Sequence, residues 1–151
     1  VFVGSGPEKN SLRRLAVENG CKRVFFLPPV TKRAIPSLLA ALDAVYIGLQ
    51  KQPLFRFGVS PNKLMDYMMA AKPVIYAIDA GNDMVAESGC GLSIPPGEPD
   101  AIASAIKTLM RMSTEELKRM GMHGYEYVKR KHDYQVLAKR FIDCLPRETF
   151  L

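Results

Sequence analysis

The segment around a predicted helix start at Ser60 contains the residues whose types and spacing best suit chemistry on a ligand. Ser60 is a favoured N-cap residue, and Pro61 suits the first position of a helix that would run to about residue 71. The N–H groups of Asn62 and Lys63 would then remain free at the positive end of the helix dipole. Together with the Lys63 ammonium, they predict a binding site for a diphosphate.

Asp66 is predicted to lie one helical turn beyond the diphosphate site. It is four residues from Asn62 and therefore shares its face, with Lys63 beside them. A carboxylate accepts two hydroxyl hydrogen bonds, as a ribose requires. The alternative is that Asp66 only pairs with Lys63 on the surface. Leu64 and Met68 share a different face, and we expect both to enter the core.

Cations without nearby acids surround this helix start. Lys51, Arg56 and Lys63 all lie in the acid-free stretch 49–64. Such a stretch suits a small anionic ligand, although a bare surface loop would look similar.

A second candidate is the turn Gly4-Ser5-Gly6-Pro7, between a predicted strand and a predicted helix. Small residues there let the backbone approach a ligand closely. The turn is not the dinucleotide fingerprint G-x-G-x-x-G, because Lys9 stands at the third glycine position. An ordinary strand-to-helix turn is the alternative reading.

Other reactive residue types lack matched partners. His, Cys and Asp show no metal-ligand spacing, so we expect no metal and no cofactor. His123 and His132 are expected to have no catalytic role, and Glu87 is a minor candidate for a ligand contact. The three cysteines, Cys21, Cys90 and Cys144, are expected to be reduced thiols.

The composition is that of an ordinary globular protein. The chain has 151 residues, of which 48% are hydrophobic and 24% charged, with a net charge of +6. No apolar run approaches the roughly 18 residues of a membrane span. The one basic triplet, at 129–131, suits a solvated helix end, so we expect no nucleic-acid partner. Without a recognisable signal peptide, a cytoplasmic protein is expected.

Apolar runs alternate with helical periods, which predicts an α/β fold with a doubly wound, Rossmann-like parallel sheet and a helical C-terminal tail. Ligands bind at the carboxyl ends of strands in such sheets. We expect residues 1–151 to form a single domain. Strands are predicted at 1–3, 24–27, 44–48, 73–77 and 91–94, and helices at 8–19, 31–42, 60–71, 82–88, 99–110, from 113 onward and from 133 to 144. Ser113, with Glu116 three residues later, shows the capping-box pattern, and Asp133 is the predicted cap of the last helix.

Five segments, in order, resemble the C-terminal lobe of the retaining family-four glycosyltransferases of GT-B type. The family shows a V-G-x-G-P turn, an F-L-G-x-V strand, an L-x-A-x-D segment, an acidic-(Y/A)-M-A-x-G-x-P-V-I block and a later G-x-G strand followed by a helix. The matching segments are Val1–Pro7, Phe25–Val30, Leu39–Tyr46, Asp66–Ile75 and Gly89–Ala103. The resemblance covers nearly the whole chain.

The resemblance also implies roles for residues. The family's second Glu in an E-x₇-E pattern holds the nucleotide ribose, and Asp66 stands in its place. The first Glu, which contacts the donor sugar, falls on Gly58 by strict spacing, and the chain resembles a subgroup with an (S/T)-P-(S/N)-K helix start instead. The implied residues are Lys63 as the catalytic residue, and Gly4, Gly6, Phe57, Gly58, Val59, Ser60, Asn62 and Asp66 as donor-binding residues.

The resemblance implies the donor lobe of a hexosyltransferase in polysaccharide or glycoconjugate biosynthesis. It would bind a nucleoside diphosphate sugar, while a second lobe would hold an acceptor sugar or lipid-linked glycan. The full-length enzyme would associate peripherally with the inner face of a membrane. We expect the chain, which opens in a predicted strand without Met, to be an inactive fragment. The alternatives are a non-catalytic nucleotide-binding module and a lobe of a sugar-nucleotide epimerase.

Overall fold

The computed structural model describes residues 1–145. It contains two compact units, of which the first is Val1–Leu38 and the second begins at Leu39. The first unit contains β1 (Phe2–Val3), α1 (Lys9–Glu18) and β2 (Phe26–Leu27). The two strands pair in parallel, with Phe2 opposite Phe26. A 3₁₀ turn, Lys32–Ala34, then leads to α2 (Ile35–Ala40).

The second unit is built around a three-stranded parallel sheet in the order β3-β4-β5. Its elements are β3 (Val45–Gly48), a 3₁₀ turn (Pro53–Phe57), α3 (Asn62–Met69), β4 (Val74–Ala77), α4 (Met84–Ser88), β5 (Gly91–Ser93), α5 (Pro99–Arg111), α6 (Thr114–Lys131) and α7 (Tyr134–Asp143). All five expected strands are present and all pair in parallel, so the predicted α/β class is confirmed. The strands pair within two separate sheets, one in each unit.

The core of the second unit is centred on β4, which is buried along its whole length. Ile75 packs against Ala105 and Leu109 of α5. Val74 and Tyr76 point to the opposite face of the sheet, because side chains alternate along a strand, and both are also buried. The sheet is therefore covered on both faces, as a doubly wound fold requires.

The two helices of the C-terminal tail begin at the predicted caps. Ser113 and Glu116 form a capping box at the start of α6, where the Ser113 N–H donates to the Glu116 carboxylate over 2.7 Å. The Asp133 carboxylate accepts from the Gln135 N–H over 2.9 Å and starts α7. None of the helices within residues 1–145 is long and apolar enough to span a membrane.

The apolar side chains of α1 are largely uncovered in the first unit. Leu12 and Leu15 are 43% and 54% exposed, and no residue of α1 is buried. A unit with two short strands has little surface to cover a helix face. The three cysteines are free thiols, as predicted, and Cys90 is buried.

A polar contact joins α4 to α6. The buried Tyr127 hydroxyl donates to Glu87 Oε2 over 2.6 Å, and Lys131 Nζ lies 3.5 Å from the same oxygen. Burial and this hydrogen bond raise the pKa of Tyr127 to about 12, and the bond lowers the pKa of Glu87. Glu87 is thus engaged within the fold, in contact with α6.

We expect Tyr127→Phe to lower the free energy of unfolding by about 1 kcal/mol at neutral pH, because one hydrogen bond to a carboxylate is lost. The raised pKa of Tyr127 means that its contribution is complete below pH 10 and disappears as pH rises toward 12. The difference in free energy of unfolding between parent and variant, measured by urea unfolding, should therefore become smaller above pH 10. Tyr134→Phe, at an exposed tyrosine of α7, is the matched control and should unfold like the parent. A gap that stays constant with pH would contradict this role of the Tyr127 hydroxyl.

Candidate functional site

The helix α3 begins one residue later than the sequence predicts. Pro61, with ψ of 122°, is the N-cap residue, and its carbonyl accepts from the Leu64 N–H over 2.9 Å. The prediction that Ser60 caps this helix is wrong: no side-chain hydrogen bond caps it. Pro61 itself has extended backbone, so the chain takes up helical geometry only after it. Asn62 and Lys63 are the first two helical residues, so their N–H groups have no intrahelical acceptor.

The core fixes which side of α3 faces outward. Leu64 and Met68, four residues apart, have no exposed surface, as predicted. Asn62, Lys63 and Asp66 are all exposed. The helix is therefore anchored by one face and presents its polar residues on another.

Asp66 and Lys63 do not form an ion pair in the described part of the chain. The alternative in which these two residues only neutralise each other is not what the structure shows. The Asp66 carboxylate acts instead on its neighbour Tyr67, whose pKa is raised first by burial and then by this negative charge. Both Lys63 and Asp66 remain accessible to a ligand.

Lys51 and Arg56, the other cations near this helix start, have partners within the protein. The Lys51 ammonium lies 2.7 Å from the Asp79 carboxylate, and this contact raises the pKa of Lys51. The Arg56 guanidinium lies over the exposed Phe57 ring, 4.6 Å from its centroid. Within residues 1–145, Lys63 has neither a carboxylate partner nor a ring beneath it. Among these three cations only Lys51 is paired with a carboxylate in the described residues, so Lys63, at the helix start, and Arg56 both keep an uncompensated positive charge.

The segment before α3 is tied to the loop after β4. The Val59 N–H donates to Asn82 Oδ1 over 2.7 Å, and Asn82 Nδ2 donates to the Val59 carbonyl over 3.0 Å. Gly58, at φ of +101°, donates its N–H to the Phe55 carbonyl over 2.8 Å. The Ser60 N–H has no acceptor among the described residues. Phe57 to Asp66, the expected donor site of the second unit, thus form one continuous surface segment.

Asn82 is the residue of this site that sequence reasoning missed. The sequence predicts only that it starts a short helix, whereas α4 begins at Met84 after an Asp83 cap. The available signal was the Gly81-Asn82-Asp83 turn directly after a buried strand, since loops after neighbouring parallel strands meet at one edge.

The Gly4-Gly6 turn belongs to the first unit. Gly4 has φ of +142°, a conformation that favours glycine. Lys9 Nζ donates to the carbonyls of Gly4 and Leu27, each over 2.6 Å, and so joins the ends of β1 and β2. A pocket of about 240 Å³ lies beside the turn and is lined by Phe2, Val3, Gly4, Ser5, Gly6, Pro7, Glu8, Lys9, Leu12 and Phe26. Its lining is mostly apolar, and Lys9 is the cation within it.

Within residues 1–145, no three His, Cys, Asp or Glu side chains come together in a way that could hold a metal ion. The expectation that the protein needs no metal stays a prediction.

Comparison with known proteins gives consistent matches. Residues 1–112 match the family described as Glycosyl transferases group 1. A probable glycosyltransferase of Pseudomonas aeruginosa, WbjE, is 24% identical over 147 residues, which are 95% of this chain and 36% of WbjE.

The fold resembles solved structures of other proteins. Sucrose-phosphate synthase from Thermosynechococcus elongatus matches with a TM-score of 0.76 and 20% identity, over 93% of this chain and 36% of that one. Anabaena HepE in complex with UDP matches with a TM-score of 0.75 and 22% identity, over 93% and 38%. HepE in complex with UDP-glucose matches with a TM-score of 0.73. The chain therefore spans little more than a third of the length of these relatives.

The geometry of α3 predicts that Asp66 adds little to stability. Asp66→Ala should change the free energy of unfolding by less than about 0.5 kcal/mol, because the carboxylate is exposed and unpaired with Lys63. Leu64→Ala, two residues earlier, should cost about 2–5 kcal/mol through the cavity it leaves. Urea unfolding followed by circular dichroism compares the two. A large loss of stability in Asp66→Ala would reveal a structural partner for this carboxylate.

Proposed function

The chain belongs to the glycosyl transferases group 1 family, and we propose that it binds the nucleoside diphosphate part of a sugar nucleotide. The observation that carries this proposal is the start of α3, where exposed N–H donors and the Lys63 ammonium adjoin an accessible Asp66 carboxylate. The fold is that of one lobe of a GT-B glycosyltransferase. The complexes of HepE with UDP and UDP-glucose support a nucleotide-sugar ligand.

The diphosphate is proposed to lie at the N-terminus of α3. The N–H groups of Asn62 and Lys63 lack intrahelical acceptors, and the helix dipole makes this end electropositive. An anion gains hydrogen bonds and charge complementarity there at the same time. Lys63 adds a full positive charge without an internal counter-ion in the described chain. No metal is needed to hold the diphosphate in this arrangement.

Asp66 is proposed to hold the ribose. Asp66 lies four positions after Asn62 in the helix, which corresponds to about 6 Å along the helix axis. This spacing suits the step from a diphosphate to the ribose that is attached to it. The exposed carboxylate offers acceptors for two ribose hydroxyls.

In the reaction we propose for the whole protein, the bond between the anomeric carbon and the diphosphate oxygen breaks. Its electron pair stays with the nucleoside diphosphate, the sugar bonds to an acceptor hydroxyl oxygen with retention, and the proton of that hydroxyl passes to the departing diphosphate. Negative charge therefore grows on the diphosphate, where Lys63 and the α3 N-terminus stabilise it most strongly. The donor is of the hexose type, and the acceptor, a sugar or a lipid-linked glycan, binds to another part of the protein.

A non-catalytic nucleotide-binding module is the second candidate, and Gly58 favours it. The residue stands where the family resemblance expects a sugar-contacting Glu, and its φ of +101° suits glycine. Both functions require the nucleoside diphosphate site. Transfer of labelled sugar by the whole protein distinguishes them, since the binding module would show none.

We predict that binding of UDP or GDP depends on Asp66. Asp66→Ala removes two acceptors for the ribose, and Asp66→Asn keeps one, so affinity should fall by about 10- to 100-fold in the first and by less in the second. Glu126→Ala, at an exposed acid in α6, is the control. Isothermal calorimetry measures all four proteins. Equal affinity in Asp66→Ala and the parent would exclude a ribose contact by Asp66.

We predict that Lys63 acts on the diphosphate and not on the nucleoside. Lys63→Met should lower the affinity for UDP about tenfold or more and leave the affinity for uridine unchanged, because only UDP carries the negative charge that Lys63 contacts. The salt dependence of UDP binding should also become flatter, since one screened attraction is gone. Lys107→Met, at an exposed lysine of α5, should bind like the parent. The titrations are repeated with EDTA to remove metal ions. An equal loss of affinity for UDP and uridine in Lys63→Met would contradict the placement of Lys63 at the diphosphate.

A further inference from the structure

The side chain of Asn82 fixes the backbone on both sides of Val59. Its Oδ1 accepts the Val59 N–H over 2.7 Å, and its Nδ2 donates to the Val59 carbonyl over 3.0 Å. The two residues are 23 positions apart in the sequence, so this is a tertiary contact between the loop after β3 and the loop after β4. Both bonds are partly buried, which strengthens them against competition from water.

A backbone hydrogen bond and close packing at two glycines also join these two loops. The Gly81 N–H donates to the Phe55 carbonyl over 2.8 Å, and a Cβ at Gly81 would collide with the Arg56 carbonyl oxygen. A Cβ at Gly58 would lie 3.1 Å from Asn82 Oδ1. The segment from Phe55 to Val59 is therefore held to residues 81 and 82 by hydrogen bonds and by close packing. Among residues 1–145, Asn82 supplies the side-chain hydrogen bonds to this segment.

Asn82 determines where the N–H of Ser60 points. The Val59 carbonyl and the Ser60 N–H belong to one planar trans peptide, so they point in opposite directions. Because the carbonyl is held by Asn82 Nδ2, the Ser60 N–H is directed away from Asn82. This N–H has no acceptor within the described chain, and the next N–H groups, after Pro61, are those of Asn62 and Lys63.

We propose that Asn82 is a positioning residue that aims the Ser60 N–H at the bound diphosphate. This inference rests on the proposed function, because it adds a donor to the same site. Val59 then contributes no N–H to the ligand, since its single donor is used by Asn82. The anion-binding surface consists of three backbone N–H donors. One belongs to Ser60, before Pro61, and two belong to Asn62 and Lys63, after it; Pro61 itself has no N–H.

The experiment combines calorimetry with amide chemical shifts of the ¹⁵N-labelled 151-residue chain, with UDP or GDP as the probe, whichever the parent binds. In the parent, the ligand should shift the Ser60 amide resonance strongly and the Val59 amide resonance little. Asn82→Ala should lower the affinity for the nucleoside diphosphate about tenfold and change the affinity for the bare nucleoside by no more than about twofold. Asn82→Leu keeps the approximate size of the side chain, removes both hydrogen bonds to Val59 and adds no charge, so it should also weaken binding of the diphosphate. Asn19→Ala removes an amide bonded to the Leu15 carbonyl in α1 and is the matched control.

The outcomes separate this inference from the proposed function. A parent that binds a nucleoside diphosphate while both Asn82 variants bind it equally well overturns the inference and leaves the proposed function standing. A parent that binds neither UDP nor GDP overturns both. Equal losses for nucleoside and nucleoside diphosphate would assign Asn82 a general structural role and overturn positioning. If Asn82→Ala does not fold, Asn82→Leu decides alone by the same comparison.

Discussion

The parallel pairing of β3 with β4 is the constraint on which the candidate site depends. Val45 lies opposite Val74 and Gly48 opposite Ala77, so both strands end at the same level of the sheet. The loops that follow must therefore run side by side. Three contacts bind these loops together, namely Lys51 with Asp79, Gly81 with Phe55 and Asn82 with Val59. A register shift of one residue would turn the buried Val45 and Ile47 of β3 to its exposed face, so the alternating burial of β3 also protects the geometry of the loops.

Burial and ligand chemistry are divided between two faces of α3. Leu64 and Met68 are fully buried, and each such side chain contributes about 1.5–3 kcal/mol relative to exposure. Asn62, Lys63 and Asp66 lie outside the core and contribute little to folding. The helix can therefore hold a charged, unpaired surface at its N-terminus, because its position is set by residues that never meet the ligand.

The sequence predicted the features that depend on local patterns. The capping box at Ser113 and the buried pair Leu64 and Met68 follow from spacings of three and four residues, and both are confirmed. The Ser60 cap failed because Pro61 itself has the extended backbone of the N-cap residue, which moves the helix start one residue along the chain. The bond between Asn82 and Val59 could not be predicted, since it depends on how two loops meet across the sheet. The apolar residues of α1 recur with helical periodicity, which indicates a helix but does not say whether anything covers that face.

Gly58 shows how the two loops limit what the site can contain. The family resemblance expects a glutamate here, but the residue has φ of +101°, which glycine tolerates and other residues rarely adopt. Its missing Cβ would lie 3.1 Å from Asn82 Oδ1, the atom that holds the Val59 N–H. A Cβ at 58 would therefore require Asn82 Oδ1 to shift by a few tenths of an ångström, in addition to the backbone strain. The chain has the amide contact, and the segment next to α3 consequently presents its backbone to the ligand site where the resemblance expects a carboxylate.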